Sequence, residues 1–144
     1  MLLIAYKGKT RFFDRLIQWW TKSPYSHCEL VLSDGKCYSS SILDGGVRST
    51  YIQYENSPKW DIYHLPDNLE INVSNYFART RGMPYGFIDL IFNQIIKSNR
   101  DYEAGEFCSS WCAAAIGLPS SSNSYSPGSL VDLIKYIYAD INPD

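Results

Sequence analysis

The cysteines and histidines of this chain are the residues best suited to nucleophilic chemistry. Four cysteines, Cys28, Cys37, Cys108 and Cys112, accompany two histidines. Cys108 stands near the start of an apolar segment at helical spacing that ends at Gly117, so we expect it in the first turn of a helix. The partial positive charge at a helix N-terminus favours a thiolate, whereas Cys112, one turn later, is expected to be buried and inert.

His27 is the histidine best placed to act as a base. It lies in the alternating segment Ser26–Leu32, which predicts a strand. Side chains alternate between the faces of a strand, so His27 and Glu29 share one face. An imidazole oriented by a third polar group can accept the proton of a thiol, and the two partners need to meet only in the fold. Cys108 and His27 are therefore the candidate nucleophile and base.

A predicted hairpin determines which side chains surround His27. The Asp-Gly pair at positions 34 and 35 separates two strand-like segments, which is a strong turn signal. A turn centred there pairs Leu32 with Cys37 across the hairpin. This register places three polar side chains around the imidazole: Glu29, Ser40 and Tyr38. A slip of one residue would exchange the neighbouring serines for two others: Ser39 and Ser41.

The elements that must position these residues follow from hydrophobic periodicity. Strands are predicted at Leu2–Tyr6, Ser26–Leu32, Lys36–Ser41, Val47–Tyr51 and Trp60–Leu65. A first helix, capped by Thr10, carries four apolar positions: Phe12, Leu16, Trp19 and Trp20. Further helices are predicted near Leu69–Arg81, Phe87–Lys97, Phe107–Ile116 and Pro127–Tyr138. Strands followed by helices predict an α+β fold, with an antiparallel sheet packed against helices in a single domain spanning residues 1–144.

Composition narrows the classes of protein that the chain can belong to. It has 144 residues, a net charge of −2 and no basic excess, which disfavours a nucleic-acid binder. The N-terminal segment resembles neither a signal peptide nor a membrane span, so we expect a cytoplasmic protein with free thiols and no integral membrane association. Aromatic residues make up 15% of the chain, and we expect most of them in the core, including Phe12, Trp19, Trp20, Phe107 and Trp111.

Five short segments follow one another in an informative order: Tyr25–Leu32, Asp44–Arg48, Gly82–Asp89, Phe107–Trp111 and Ser126–Leu130. Together they resemble the circularly permuted NlpC/P60 superfamily of papain-like cysteine hydrolases, in which the catalytic histidine precedes the catalytic cysteine. The small, unexported form is similar to versions carried by bacteriophages, which would work in the host cytoplasm. The resemblance covers most of the chain and implies a papain-like fold.

The resemblance also assigns roles to residues. His27 matches the family's histidine and Cys108 its cysteine, which implies hydrolysis of an amide, peptide or ester bond through an acyl-enzyme. Substrates of such relatives include peptides, other amides and lipid esters. Permuted relatives often carry a polar or acidic residue on the following strand, where this chain has only serines. We therefore take Glu29 as the third catalytic residue, with Ser40 in reserve, and expect the Cys108 backbone N–H to contribute to an oxyanion hole.

Two other functions are open at this point. The chain could be a catalytically silent binding module of the same fold, such as a phage factor that engages a host protein. It could also use His27 and the cysteines to hold a metal, but the cysteine spacing lacks a knuckle motif, and we expect neither a metal nor a cofactor. Arg48 is expected to be a solvated strand residue, and His64 a structural or surface one.

Overall fold

A five-stranded antiparallel sheet is the centre of the fold. The computed structural model describes residues 1–41, 43–83, 106–119 and 125–142. Its strands are β1 (Leu2–Tyr6), β2 (His27–Val31), β3 (Cys37–Ser41), β4 (Gly46–Thr50) and β5 (Trp60–His64). They are arranged in the order β4-β3-β2-β1-β5, and every pairing in the sheet is antiparallel. The N-terminal strand therefore lies between the hairpin that carries His27 and the last strand.

The helices confirm the predicted α+β class. They are α1 (Phe12–Thr21), α2 (Glu70–Thr80), α3 (Glu106–Ala115) and α4 (Pro127–Ile137). The five strands were predicted to within one residue at either end, because their apolar alternation is bounded by turn residues. The helix predicted at Phe87–Lys97 lies outside the described residues. Among the described residues, no helix is long and apolar enough to cross a membrane.

The main core lies between one face of the sheet and helices α2, α3 and α4. Leu3, Ala5, Cys28 and Leu30 supply the sheet side of this core and are fully buried. Trp111 of α3 is 6% exposed, so its predicted place in the core is confirmed. Further members of the core come from the helices: Val73, Cys112, Leu130, Val131 and Ile134. Helix α3 packs against β2 and β3, which brings its first turn close to the histidine strand.

Helix α1 departs from the prediction because its aromatic side faces solvent. Phe12 is 76% exposed, Trp19 74% and Trp20 50%, so their assignment to the core is wrong. The reason is that α1 attaches to the domain through its polar side, where Gln18 is 9% exposed. The cap residue is Arg11 rather than the predicted Thr10. The side chain of Phe107, also predicted in the core, lies outside what the structure describes.

The hairpin between β2 and β3 has a different register from the predicted one. Val31 pairs with Cys37, whereas the prediction paired Leu32 with that cysteine. The loop contains three residues and ends at Gly35, whose φ of 76° is the left-handed conformation such loops require. Tyr38 therefore pairs with Leu30 and joins the main core, so its predicted place beside His27 is wrong.

Candidate functional site

Cys108 lies at the meeting point of the first turn of α3 and the sheet. It is the third residue of the helix, so it stands in the first turn, as the sequence predicted. It is 5% exposed and forms part of the wall of a cleft. A thiol at this position lies in the positive field of the helix N-terminus and within reach of strand β2.

The His27 ring connects Cys108 with Glu29 by hydrogen bonds. Nε2 of His27 lies 2.6 Å from Oε1 of Glu29, and the ring also forms a hydrogen bond with the Cys108 thiol. Since Nε2 is engaged by Glu29, Nδ1 is the ring nitrogen left for the sulfur. Glu29 is fully buried, and the imidazole keeps 25% of its side-chain surface exposed. The structure therefore brings three sequence-selected side chains, Cys108, His27 and Glu29, into one continuous chain of contacts.

The surroundings of Cys108 stabilise its thiolate. A hydrogen bond from the Cys28 side chain is the largest cause of a Cys108 pKa well below the ordinary 9.0. Burial opposes this effect, but the nearby positive charge and hydrogen bond of His27 and the Cys28 backbone N–H reinforce it. The sequence analysis overlooked Cys28 as a contributor, because its side chain alternates to the core side of β2.

The imidazole is correspondingly favoured in its protonated form. Burial by itself would lower the pKa of His27, since it penalises the charged ring. The negative charge of Cys108 and the hydrogen bonds to Cys108 and Glu29 outweigh burial and raise that pKa well above 6.5. Opposite shifts in the two partners favour a thiolate–imidazolium pair, which is the reactive form of a cysteine nucleophile.

Arg48 holds the carboxylate of Glu29 through two further hydrogen bonds. Its Nη1 donates to Oε2 at 2.7 Å and its Nη2 to Oε1 at 2.6 Å, which is a two-point guanidinium–carboxylate contact. Its Nε donates to Asp44 at 2.7 Å. Arg48 is only 17% exposed, so the expectation of a solvated strand arginine is wrong. It pairs directly with Ser39 on β3, so its contact with Glu29 crosses from β4 over β3 to β2.

The network keeps Glu29 ionised although it is buried. Burial tends to raise the pKa of this carboxyl, but the hydrogen bonds and charges of His27 and Arg48 hold it below 4.5. The Arg48 hydrogen bond likewise lowers the pKa of Asp44. Ser40, the reserve candidate, is 9% exposed and lines the cleft, while the described ring contacts go to Glu29 and Cys108. In the sequence, Asp44–Arg48 stood out only as one segment of the resemblance, and nothing there linked Arg48 to Glu29.

A cleft of about 520 Å³ opens beside the Cys108–His27 pair. Helix α1 supplies one wall, through residues that include Phe13 and Ile17. The histidine hairpin and β4 supply another wall, through residues that include Ser41 and Arg48. Two well-exposed apolar side chains, Leu43 and Tyr51, stand at its rim. The Cys108–His27 pair therefore lies beside a space of the size that holds a small molecule or a short segment of a larger one.

The remaining cysteines lie in packed surroundings. Cys28, Cys37 and Cys112 are fully buried, and all four cysteines of the chain are free thiols. Burial is the main cause that raises the pKa of Cys37 to about 11, and burial likewise raises that of Cys28. Among the described residues, no group of three or more His, Cys, Asp or Glu side chains is arranged to hold a metal ion.

Comparison with known proteins leaves the site to be judged on its own geometry. No protein-family model, curated protein or solved structure matches the chain. The arrangement of a helix-start thiol, a strand imidazole and a buried carboxylate held by an arginine is chemically suited to nucleophilic attack on a carbonyl carbon.

Proposed function

We propose that this protein is a cysteine hydrolase that cleaves an amide, peptide or ester bond through an acyl-enzyme on Cys108. One observation carries the proposal: the hydrogen-bonded chain from Cys108 through His27 to Glu29, in which the Cys108 pKa is lowered and the His27 pKa is raised. The α+β architecture, with a helix-start cysteine and a strand histidine, is consistent with a permuted papain-like fold of the NlpC/P60 type.

In the proposed first step, the Cys108 thiolate attacks the carbonyl carbon of the substrate and forms a tetrahedral intermediate. Collapse of the intermediate breaks the bond to the leaving group, which takes the proton from the His27 imidazolium. The product of this step is a thioester on Cys108 and a neutral imidazole. In the second step, His27 takes a proton from water, the resulting hydroxide attacks the thioester, and the acid and the thiolate are released.

Glu29 and Arg48 have positioning roles in this scheme. The carboxylate of Glu29 accepts a hydrogen bond from the Nε2–H of His27, which leaves Nδ1 for the sulfur and stabilises the imidazolium. The two-point contact from Arg48 fixes the carboxylate and keeps it charged inside the protein. In this chain the acidic residue, Glu29, lies two positions after the histidine on the same strand. Because Glu29 is buried, the hydrogen bonds that water would otherwise donate to its carboxylate come from Arg48 on β4.

Site-resolved labelling and acylation test the proposal. Iodoacetamide is added over a range of pH, and each cysteine is followed by mass spectrometry, with the buried Cys37 and Cys112 as internal controls. We expect alkylation of Cys108 well below pH 9.0, and we expect His27→Ala to move its pH midpoint upward because the imidazolium is lost. A nitrophenyl ester should release about one equivalent of nitrophenolate in a burst and leave an acyl group on Cys108.

Three outcomes decide between the proposal and its alternative. Loss of both the burst and the adduct in a folded Cys108→Ser variant would support the hydrolase. A Cys108 that is alkylated no faster than Cys112 would refute it. A reactive Cys108 that is never acylated by ester or amide substrates would point instead to the silent binding module.

A further inference from the structure

Helix α1 is amphipathic in the opposite sense to an ordinary surface helix. Its inward side is polar: Gln18 donates through Nε2 to the carbonyl oxygens of Gly8 at 3.0 Å and Pro24 at 2.8 Å. On the same side, Asp14 accepts a hydrogen bond of 3.1 Å from the Ser26 hydroxyl. These polar contacts attach the helix to the domain, so the apolar side chains on its other side are not needed for the attachment.

The outward side of α1 is a continuous apolar stripe. At about 100° per residue, its five apolar side chains fall within an arc of roughly 120° on the helix surface. They are Phe12, Phe13, Leu16, Trp19 and Trp20, with exposures of 76%, 57%, 38%, 74% and 50%. With full side-chain areas of ~150–250 Å² for aromatic residues, the stripe exposes roughly 600 Å². That is as large as the largest apolar patches of ordinary monomers, which are often interaction sites.

Positively charged side chains lie next to this stripe. Four exposed cations, Lys9, Arg11, Arg15 and Lys22, lie in residues 9–22, where Asp14 is the single anion, although the whole chain carries a charge of −2. Within the described part of the chain, the ion pairs between side chains use other cations: Lys7, His27 and Arg48. An apolar stripe that contains two tryptophans and lies next to cations outside these ion pairs has the chemistry of an interfacial helix. The partner of such a helix has both a negatively charged and an apolar part.

We propose that α1 docks this protein peripherally on an anionic lipid bilayer. The helix lies in the plane of the interface, with its aromatic stripe among the acyl chains and its cations at the headgroup phosphates. Phe13 and Ile17 of this helix also line the cleft, so docking sets the mouth of the cleft at the boundary between lipid and water. The proposal concerns binding alone and does not depend on the chemistry of Cys108.

Vesicle co-sedimentation tests this docking directly. We expect the full-length protein to sediment with phosphatidylglycerol–phosphatidylcholine vesicles, with a blue shift of tryptophan emission, and to bind pure phosphatidylcholine vesicles at least about tenfold more weakly. Added salt should weaken the binding because it screens the cations from the headgroups. A Trp19→Ser/Trp20→Ser variant should lose about tenfold or more in affinity, since two exposed rings that enter the acyl region are removed.

Matched variants distinguish binding through the stripe from nonspecific adsorption of the protein to vesicles. Tyr136→Ser removes an 84% exposed ring from α4 and should leave vesicle binding unchanged. Lys9→Glu/Arg15→Glu keeps the stripe but should abolish the preference for the anionic vesicles. Thermal melts of every variant check folding, which the exposed positions should preserve.

Three results would overturn the proposal. The first is no binding of the folded wild type to the anionic vesicles. The second is equal loss of binding in the Trp19→Ser/Trp20→Ser and Tyr136→Ser variants. The third is a stable dimer in sedimentation equilibrium that the tryptophan variant dissociates while vesicles have no effect, because the stripe would then bind a second copy of the chain.

Discussion

Replacing Arg48 by alanine is the most informative perturbation of the candidate site. The guanidinium provides two of the hydrogen bonds to Glu29, a carboxylate that is fully buried. Alanine removes both bonds and leaves the carboxylate with His27 as its remaining charged partner. The variant therefore measures how much Arg48, as distinct from His27, stabilises the buried negative charge of Glu29.

The expected cost is about 3 kcal/mol of unfolding free energy. Removing one partner of a buried ion pair typically costs ~3–5 kcal/mol, because an uncompensated charge stays buried. The lower end applies here, since Arg48 is 17% exposed and Glu29 retains its contact with His27. The lost contact to Asp44 adds little because that carboxylate is 50% exposed. For a domain of this size, the loss corresponds to a fall of roughly 10 °C in Tm.

The effect should depend on pH in a defined direction. In the wild type the folded pKa of Glu29 lies below 4.5, so its carboxylate contributes stability above that pH and loses it as the pH falls through the folded pKa. Without Arg48 the folded pKa rises, and the contribution at neutral pH diminishes. The difference in stability between wild type and variant should therefore be largest near neutral pH and shrink below about pH 4.

Urea unfolding followed by circular dichroism at neutral and acidic pH measures these differences. Arg79→Ala is the matched control, because it removes the same charge from an exposed position on α2 and should change stability by at most about 1 kcal/mol, the contribution of its contact with the Tyr76 ring. Arg48→Lys keeps the charge without the two-point geometry and should fall between the two. If Arg48→Ala were no more destabilising than the control, the buried network would not support Glu29 as we argue.

Two further predictions concern the charge on the histidine side and the packing behind the site. Glu29→Gln removes a charge that raises the pKa of His27, so the pH midpoint for alkylation of Cys108 should move upward; an unchanged midpoint would mean that Glu29 does not act on the dyad. Trp111→Ala should lower the unfolding free energy by about 3–5 kcal/mol, because it empties a buried position, whereas Tyr136→Ala on the exposed face of α4 should have almost no effect in the same urea titration.

The strands and the position of the candidate nucleophile could be predicted from the sequence because their signals are local. Alternating apolar residues between turn residues define a strand wherever it pairs, so β1 was predicted at its observed bounds. An apolar period that begins near Cys108 likewise put this residue in the first turn of α3. His27 and Glu29 share a face by strand geometry alone, and their contact follows from that spacing.

Other features depended on information that no local pattern contains. The hairpin register depended on Gly35 adopting the left-handed conformation in a three-residue loop, and one residue of shift moved Tyr38 from the site to the core. The contact of Arg48 with Glu29 spans three strands, so it depends on the order and register of β2, β3 and β4 in the sheet.

The aromatic residues of α1 show most clearly what the sequence determines and what the tertiary structure determines. Helical spacing by itself determined that Phe12, Trp19 and Trp20 lie on one side of α1. The spacing does not determine whether that side is buried or exposed to solvent. Only the tertiary structure decided which way the face points, because the hydrogen bonds of Gln18 attach the opposite side of the helix to the domain. The sequence thus determined the five strands and the position of the candidate nucleophile, whereas long-range contacts decided the partners of the carboxylate and the exposure of the stripe.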